Sequence, residues 1–229
     1  MNSYKAFLLS YIRYGDNDAI LHCYTEESAY LTFYVKGIYS GKNKKKAYLF
    51  PLNEIALITS KSKFNSELLS VSSIESVNKN DLYQDIKANA IIFYIADLLN
   101  QILKHENQAN TKLYQAISEF LHEVECANME AHLVLMLKII KIQGWAPLEN
   151  DAPYLNPETG TFVHSEVHYL FDKENSAIWK AYLSKEKPYD LTLKREQRRK
   201  FLDSLLLYYH FHFVDFRTPK SLEIIQDIF

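Results

Sequence analysis

The chain has 229 residues, enough for one large domain or two small ones, and 48% of them are hydrophobic, so a packed core is expected and a disordered chain is excluded. With 26 basic and 28 acidic residues the formal net charge is −2, which excludes a chain that is basic throughout. Five glycines argue against Gly-rich cofactor loops, and two distant cysteines, Cys23 and Cys126, supply neither a disulfide framework nor a four-thiolate zinc site.

The opening stretch MNSYKAFLLSYIRYGDND does not read as a signal peptide, because its short apolar run breaks between Tyr11 and Asp16. It reads as a strand closed by the turn signal GDND. AILHCYT follows as a second strand. YLTFYVKGIY alternates as a third, with Leu31, Phe33 and Val35 on one face and Tyr30, Thr32 and Tyr34 on the other. YLFPLNEIALITS and LLSVSSIESV complete about five strands, which suits a small closed barrel.

After Asp81 the hydrophobic period lengthens. DLYQDIKANAIIFYIADLLNQILKHE predicts a helix with Leu82, Ile86, Ala90, Phe93 and Leu98 along its apolar stripe. Its longest unbroken apolar run, Ala90 to Ala96, is too short to span a bilayer. TKLYQAISEFLHEVECA predicts a second helix with Leu113, Ile117, Phe120 and Val124 on one face. MEAHLVLMLKIIKIQG predicts a third, apolar nearly all round, ended by Gly144. From about 145 to 170 the chain reads as an irregular insert, with NPETG as a turn between two short extended pieces. KENSAIWKAYLS, TLKREQRRKFLDSLLLYYHFHF and a short piece from Ser221 to Ile228 are further helices. The expected class is α+β: a five-stranded OB-like barrel over 1–78 and a helical domain over 79–229, with the boundary at Asn78 to Asp81. Cytoplasmic location and no membrane association are expected.

Charge divides along the same line. Residues 1–80 hold ten basic and seven acidic side chains, and residues 81–229 hold sixteen and twenty-one. The positive excess centres on VKGIYSGKNKKKAYLFPL, where Lys36, Lys42, Lys44, Lys45 and Lys46 fall within eleven residues that contain no acid. Exposed lysines on a loop are ordinarily just solvated. Here the loop joins strands of a barrel class that often binds oligonucleotides. Tyr30, Tyr34, Tyr39, Tyr48 and Phe50 flank it, and Arg13, Lys61 and Lys63 extend the same field.

Other chemistry is weaker. Gly37 and Gly41 enclose three residues, and Asn43 follows Lys42, so GIYSGKN lacks the spacing and the hydroxyl of a phosphate loop. His164 and His168 stand four apart but in a segment that does not read as helix, so no metal site is expected. His210 and His212 would not share a helical face. Two basic clusters in the helical half remain: Arg195, Arg198 and Arg199 in LKREQRRK, and a stripe of Lys138, Lys141 and Trp145. Arg198 shares a stripe with Leu202, Leu205 and Tyr209, which turns it from the solvent face.

The order of three stretches resembles the bacterial recombination mediator family RecO over nearly the whole chain. AFLLSYIRYGDNDAILHCYTEESAYLTFYVKGIYSGKNKKKAYLFPLNEIAL resembles the opening barrel, including the Lys36–Gly37 pair and the basic loop after it. IIKIQGWAP resembles the family's end to a central helix, and YYHFHFVDFRTPKSLEII its closing pattern. Many members carry a Cys-rich zinc element after the central helix. LENDAPYLNPETGTFVHSEVHYLF has no cysteine, so neither zinc nor any other cofactor is expected, and apolar packing around Tyr154, Leu155, Phe162 and Val163 is expected in its place.

The resemblance implies a non-enzymatic mediator. Such a protein binds single- and double-stranded DNA, promotes annealing, works with RecR, contacts the acidic C-terminal tail of the single-strand-binding protein and indirectly assists loading of RecA. Two other readings stay open: an interaction scaffold whose barrel does not bind DNA, and a metal-dependent hydrolase around His164 and His168.

Overall fold

The computed structural model describes residues 2–41, 43–60, 68–77 and 85–228. Five strands close into one barrel in the order β1-β2-β3-β5-β4. They are β1 (Asn2–Tyr14), β2 (Asp18–Thr25), β3 (Ala29–Val35), β4 (Glu54–Thr59) and β5 (Leu68–Ser76). Strand β1 is long enough to serve two neighbours: Asn2–Phe7 pair with β4 and Ala6–Tyr14 with β2. The one parallel pairing, β3 with β5, closes the barrel. This is the expected OB-like barrel. Alternation does the sorting, because successive side chains on a strand point to opposite faces. Ala19, Leu21 and Cys23 point inward from β2, Phe33 and Val35 from β3, and Ile55 and Leu57 from β4. Burial pushes the Cys23 thiol far above its usual range, so it acts as a small apolar side chain.

The chain between β3 and β4 closes one end of the barrel. Ile38 and Leu49 from this segment join the barrel core. Between them lies a 3-10 turn at Lys44–Tyr48, capped by the Asn43 side chain, which accepts from the Lys45 N–H at 2.9 Å. The tract that reads as one strand from Tyr48 to Ser60 is therefore extended only from Glu54.

The chain divides into two compact units, Met1–Tyr114 and Gln115–Phe229. The first holds the barrel, helix α1 (Ile86–Leu103) and the start of α2 (Thr111–Glu125). The Asp85 carboxylate caps α1 by accepting from the N–H groups of Lys87 and Ala88. The Phe7 ring packs against that of Tyr114 at 4.5 Å, and the Tyr114 hydroxyl donates to buried Glu54 at 2.9 Å. Lys5 pairs with the same carboxylate at 2.9 Å. The Tyr30 hydroxyl donates to Asn100 of α1 at 3.1 Å. Helix α1 buries Ala88, Ile91, Ile92, Ile95, Leu99 and Ile102. The stripe expected from sequence is displaced: Ile86 is 80% exposed and Phe93 46%, and Leu82 lies outside the described residues. The helix is apolar on most sides, so several stripes satisfy the same period. Helix α1 is long and apolar enough to cross a membrane by length and composition, yet most of it is buried inside the protein, as in a core helix.

The second unit holds most of α2, then α3 (Ala131–Ile142), α4 (Lys173–Ser184), α5 (Arg195–His212) and α6 (Leu222–Ile228). Along α2, Leu113, Ile117, Phe120 and Val124 are buried as their spacing predicts. Helix α3 ends at Gly144, whose φ of 77° suits glycine, and the Trp145 N–H closes the end on Ile140 at 2.9 Å. His132 of α3 is fully buried, and its Nδ1–H donates to the Met129 carbonyl at 2.9 Å. Desolvation holds its pKa down to about 4.

The insert forms a two-stranded hairpin, β6 (Tyr154–Asn156) with β7 (Thr161–Val163). Leu155 and Phe162 are buried; Tyr154 and Val163 are half-buried. Gly160 at the turn has φ of 64°, and a Cβ there would stand 2.8 Å from the Tyr208 hydroxyl. Lys180 of α4 organises the chain before the hairpin. Its ammonium donates to the carbonyls of Asn150 and Ala152, each at 2.7 Å, and sits 4.5 Å from the centre of the Phe162 ring. His164 is exposed after β7, and His168 Nδ1 accepts from the Leu170 N–H at 3.1 Å. His168 Nδ1 is thus already engaged, and two imidazoles without a cysteine fall short of the four ligands of a structural zinc site; the Lys180 ammonium organises the segment.

Two outcomes follow from the half-buried Lys180 ammonium and the buried, neutral His132. Lys180→Met keeps the aliphatic stem but strips two carbonyls of their donor. It is expected to cost about 1–3 kcal/mol in denaturant unfolding, and an unchanged midpoint would show that the insert does not depend on Lys180. His132 has its folded pKa depressed below the unfolded value, so the unfolded chain binds the extra proton first. Stability is therefore full above about pH 6.5 and falls as pH drops toward 4, by about 3 kcal/mol from this group. His132→Met is expected to flatten that part of the pH–stability curve; an unaltered slope would place the acid sensitivity elsewhere.

Candidate nucleic-acid interface

The lysine-bearing segment is fixed from both ends. At its start, Gly37 adopts φ of 69°, and its N–H donates to Asp18 Oδ1 at 2.7 Å. The Tyr34 hydroxyl donates to the other Asp18 oxygen. Those two donors, the tyrosine first, hold the Asp18 carboxyl below its usual range. The Tyr39 N–H donates to the Asn17 carbonyl at 2.9 Å, and Asn43 Nδ2 reaches back to the Gly37 carbonyl at 3.1 Å. At its end, Asn53 Nδ2 donates to the Tyr48 carbonyl at 2.9 Å. Ile38 and Leu49 are drawn into the core, and Lys44 and Lys46 between them are exposed.

This framework brings cations together from distant parts of the chain. The Arg13 guanidinium, at the end of β1, lies 5.3 Å from the centre of the Tyr39 ring, and Lys46 Nζ lies 5.7 Å from it. The guanidinium is steadied by donation to the Asp16 carbonyl at 2.6 Å. Burial raises the Tyr39 phenol pKa, with nearby Tyr11 adding to the shift and Arg13 opposing it. Lys36, Lys44 and Lys46 are exposed and Lys45 is half-buried. Among the described residues, none of these four forms an ion pair. Lys42, Lys61 and Lys63 lie outside the described residues.

The flanking aromatics separate by role. Tyr30 is tied to Asn100, Phe50 packs on Phe93 at 5.3 Å, and Tyr48 packs against the barrel core. Tyr34 and Tyr39 remain partly exposed on the rim. Three side chains that the sequence reading passed over join them. Tyr11, Ile12 and Tyr14 are exposed at 41%, 57% and 56%. Their signal was the return of Tyr11, Ile12 and Tyr14 between Leu9, the last buried residue of β1, and Gly15.

In the helical half the basic side chains also separate. Lys138 pairs with Glu119, and its Nζ lies 4.6 Å from the Tyr189 ring centre. Arg198 pairs with Glu130 at 2.8 Å, and the same carboxylate accepts from the Leu193 N–H at 3.1 Å. Both are therefore held by acids in the fold. Lys141 is exposed and donates to the Leu183 carbonyl at 2.9 Å. Trp145 is half-buried with its ring edge-on to Phe213 at 5.6 Å. Arg195 and Arg199 are exposed and form no ion pair among the described residues. Also among those residues, no group of three His, Cys, Asp or Glu side chains is placed to hold a metal ion.

Comparison with known proteins matches both parts of the chain. The family description Recombination protein O N terminal matches residues 1–80, and Recombination protein O C terminal matches residues 83–153. The DNA repair protein RecO of Christiangramia forsetii is 28% identical over 98% of each chain, and that of Flavobacterium psychrophilum 26% over 98% of each. The one from Bacteroides fragilis is 23% identical over 97% of this chain and 96% of its own. With a five-stranded barrel followed by helices, and both halves matched in order, the chain belongs to the RecO family of DNA repair and recombination proteins.

Proposed function

We propose that this protein is a non-enzymatic recombination mediator that holds DNA on the rim of its barrel, residues 1–78, and receives protein partners on its helical half, residues 79–229. The observation that carries the DNA assignment is the convergence of Arg13 and Lys46 on Tyr39, beside Lys36, Lys44 and Lys45, with none of these four lysines in an ion pair among the described residues. Such a cluster binds a phosphate backbone locally although the chain as a whole is slightly acidic. Phosphate contacts carry no sequence information, which accords with a protein that must act wherever strands are exposed. Lys42, Lys61 and Lys63 belong to the same proposed field. Membership of the family supports single- and double-stranded DNA as ligands, strand annealing, and cooperation with RecR and, indirectly, RecA. A cytoplasmic location accords with that work.

The acidic tail of the single-strand-binding protein, which ends in an aromatic residue, needs cations for its carboxylates and an apolar recess for the ring. Of the candidates, Lys138 and Arg198 are already committed to Glu119 and Glu130. Arg195 and Arg199 keep their guanidinium groups available and can each grip a carboxylate with two parallel hydrogen bonds. We assign them the tail, with Lys141 and Trp145 as the competing pair.

Two measurements test these assignments. Replacing Lys44, Lys45 and Lys46 together by Ala is expected to reduce the log–log salt slope of single-strand binding by about 2, at about 0.7 per phosphate contact. An unchanged slope would move the DNA site off the loop. Arg195→Glu with Arg199→Glu is expected to weaken binding of an acidic tail peptide at least tenfold, with the helical circular dichroism intact. Wild-type binding by that variant, with loss on Lys141→Glu, would transfer the tail to the competing pair.

A further inference from the structure

The outer face of β1, β2 and β3 is divided along its length. At one end Ser10, Tyr24 and Tyr30 are hydrogen-bonded to α1 and the turn before α2. At the other end Ile12 stands opposite Ile20, and Ile20 opposite Tyr34, in one row across three strands. Tyr14 stands one row further along, its ring edge-on to Tyr34 at 6.0 Å. Ile12 and Tyr14 are both more than half exposed. An apolar and aromatic surface of this kind on a strand end marks a contact surface.

The chemistry around the row says which kind. Strand alternation puts Arg13, between Ile12 and Tyr14, on the opposite side of β1, where it meets Tyr39 and Lys46. Lys36 follows Tyr34 by two residues and adds its field near Asp18. The Tyr34 ring is not free to swing, because its hydroxyl is tied to Asp18, the carboxylate that also holds Gly37. Flat, partly fixed rings therefore lie across one strand from a cluster of unpaired cations. An acidic peptide would satisfy the cations but has no repeated planar faces for the rings. A duplex presents phosphates but keeps its base faces stacked inside. A single strand presents both.

We propose that Tyr14 and Tyr34 are base-stacking residues that give the barrel its preference for unpaired strands, while Arg13 and the loop lysines take the neighbouring phosphates. This rests on the DNA assignment made above and adds to it the form of nucleic acid that the site selects. Every base has a π face, so the preference is for strandedness and not for sequence. Tyr34 is the fixed platform. Tyr14 is the exposed one, free of the hydrogen bonds that hold the loop.

The test uses the full chain and three ligands at one salt concentration: labelled oligothymidylate, an abasic strand of equal length and charge, and a duplex of that length. The wild-type protein is expected to bind oligothymidylate more tightly than either of the others. Tyr14→Ala is expected to narrow the gap between thymidylate and abasic strands by about tenfold, within the range of one base–ring contact. Affinity for the abasic strand and the salt slope should stay at wild-type values. Tyr14→Trp should restore the gap. Tyr14→Leu, which keeps apolar bulk but has no π face, should behave as the alanine variant does and guards against a folding defect. A wild-type gap in both Tyr14→Ala and Tyr14→Leu overturns the proposal and leaves the row as a protein-docking face. Equal wild-type binding to thymidylate and abasic strands overturns it while sparing the phosphate site. No salt-dependent binding to any of the three overturns both.

Discussion

Ile38 and Leu49 enter the barrel core, with Tyr39 and Tyr48 packed against it, and so anchor the described lysines between them at the barrel. Much of the proposed function depends on that anchoring. Lysines crowded into so short a stretch repel one another, and a free loop would spread them. Here the repulsion is opposed by burial of two aliphatic side chains, each contributing about 1.5–3 kcal/mol if fully buried. The Asp18 carboxylate fixes Tyr34 and Gly37 at the start of the loop, and Asn43 closes it back onto Gly37. The cations are thus held in place before any ligand arrives, which lowers the ordering cost of binding. Glycine at 37 is part of this device, since its φ of 69° is strained for other residues.

Charge follows the same division as structure. The barrel half carries the positive excess, and the helical half the negative. In the helical half, acids are spent on holding individual cations: Glu119 on Lys138, Glu130 on Arg198, Asp172 on Lys200. Such pairs neutralise positive charge on the helical half. Arg195 and Arg199 stand apart from that pattern, which is why they are assigned to a partner's carboxylates and not to the fold. Lys180 shows a third use of a cation. It gathers two carbonyls and a ring in the segment before and within the hairpin.

The barrel was legible because β3 and most of β2 alternate and the turn after β1 carries Gly15 and Asn17. Helix α2 was legible because one face of it is polar. Helix α1 was not, since apolar residues on most of its sides let Ile86 and Phe93 pass as core. The loop lysines were visible as a run, but their meeting with Arg13 on Tyr39 joins residues far apart in sequence. Glu130 lies 68 residues from Arg198, so their pairing left no local trace beyond the apolar stripe around the arginine. Tyr14 stands at the end of a strand, and only the closed barrel shows that it is more than half exposed, with Tyr34 edge-on beside it.

Photo-crosslinking a single-stranded oligonucleotide to the full-length protein, with the attached peptides identified by mass spectrometry, tests the central claim most directly. The account predicts crosslinks in peptides spanning residues 11–14 and 34–48, lost as salt is raised. Crosslinks confined to residues 115–229, or none in the barrel at low salt, would contradict it.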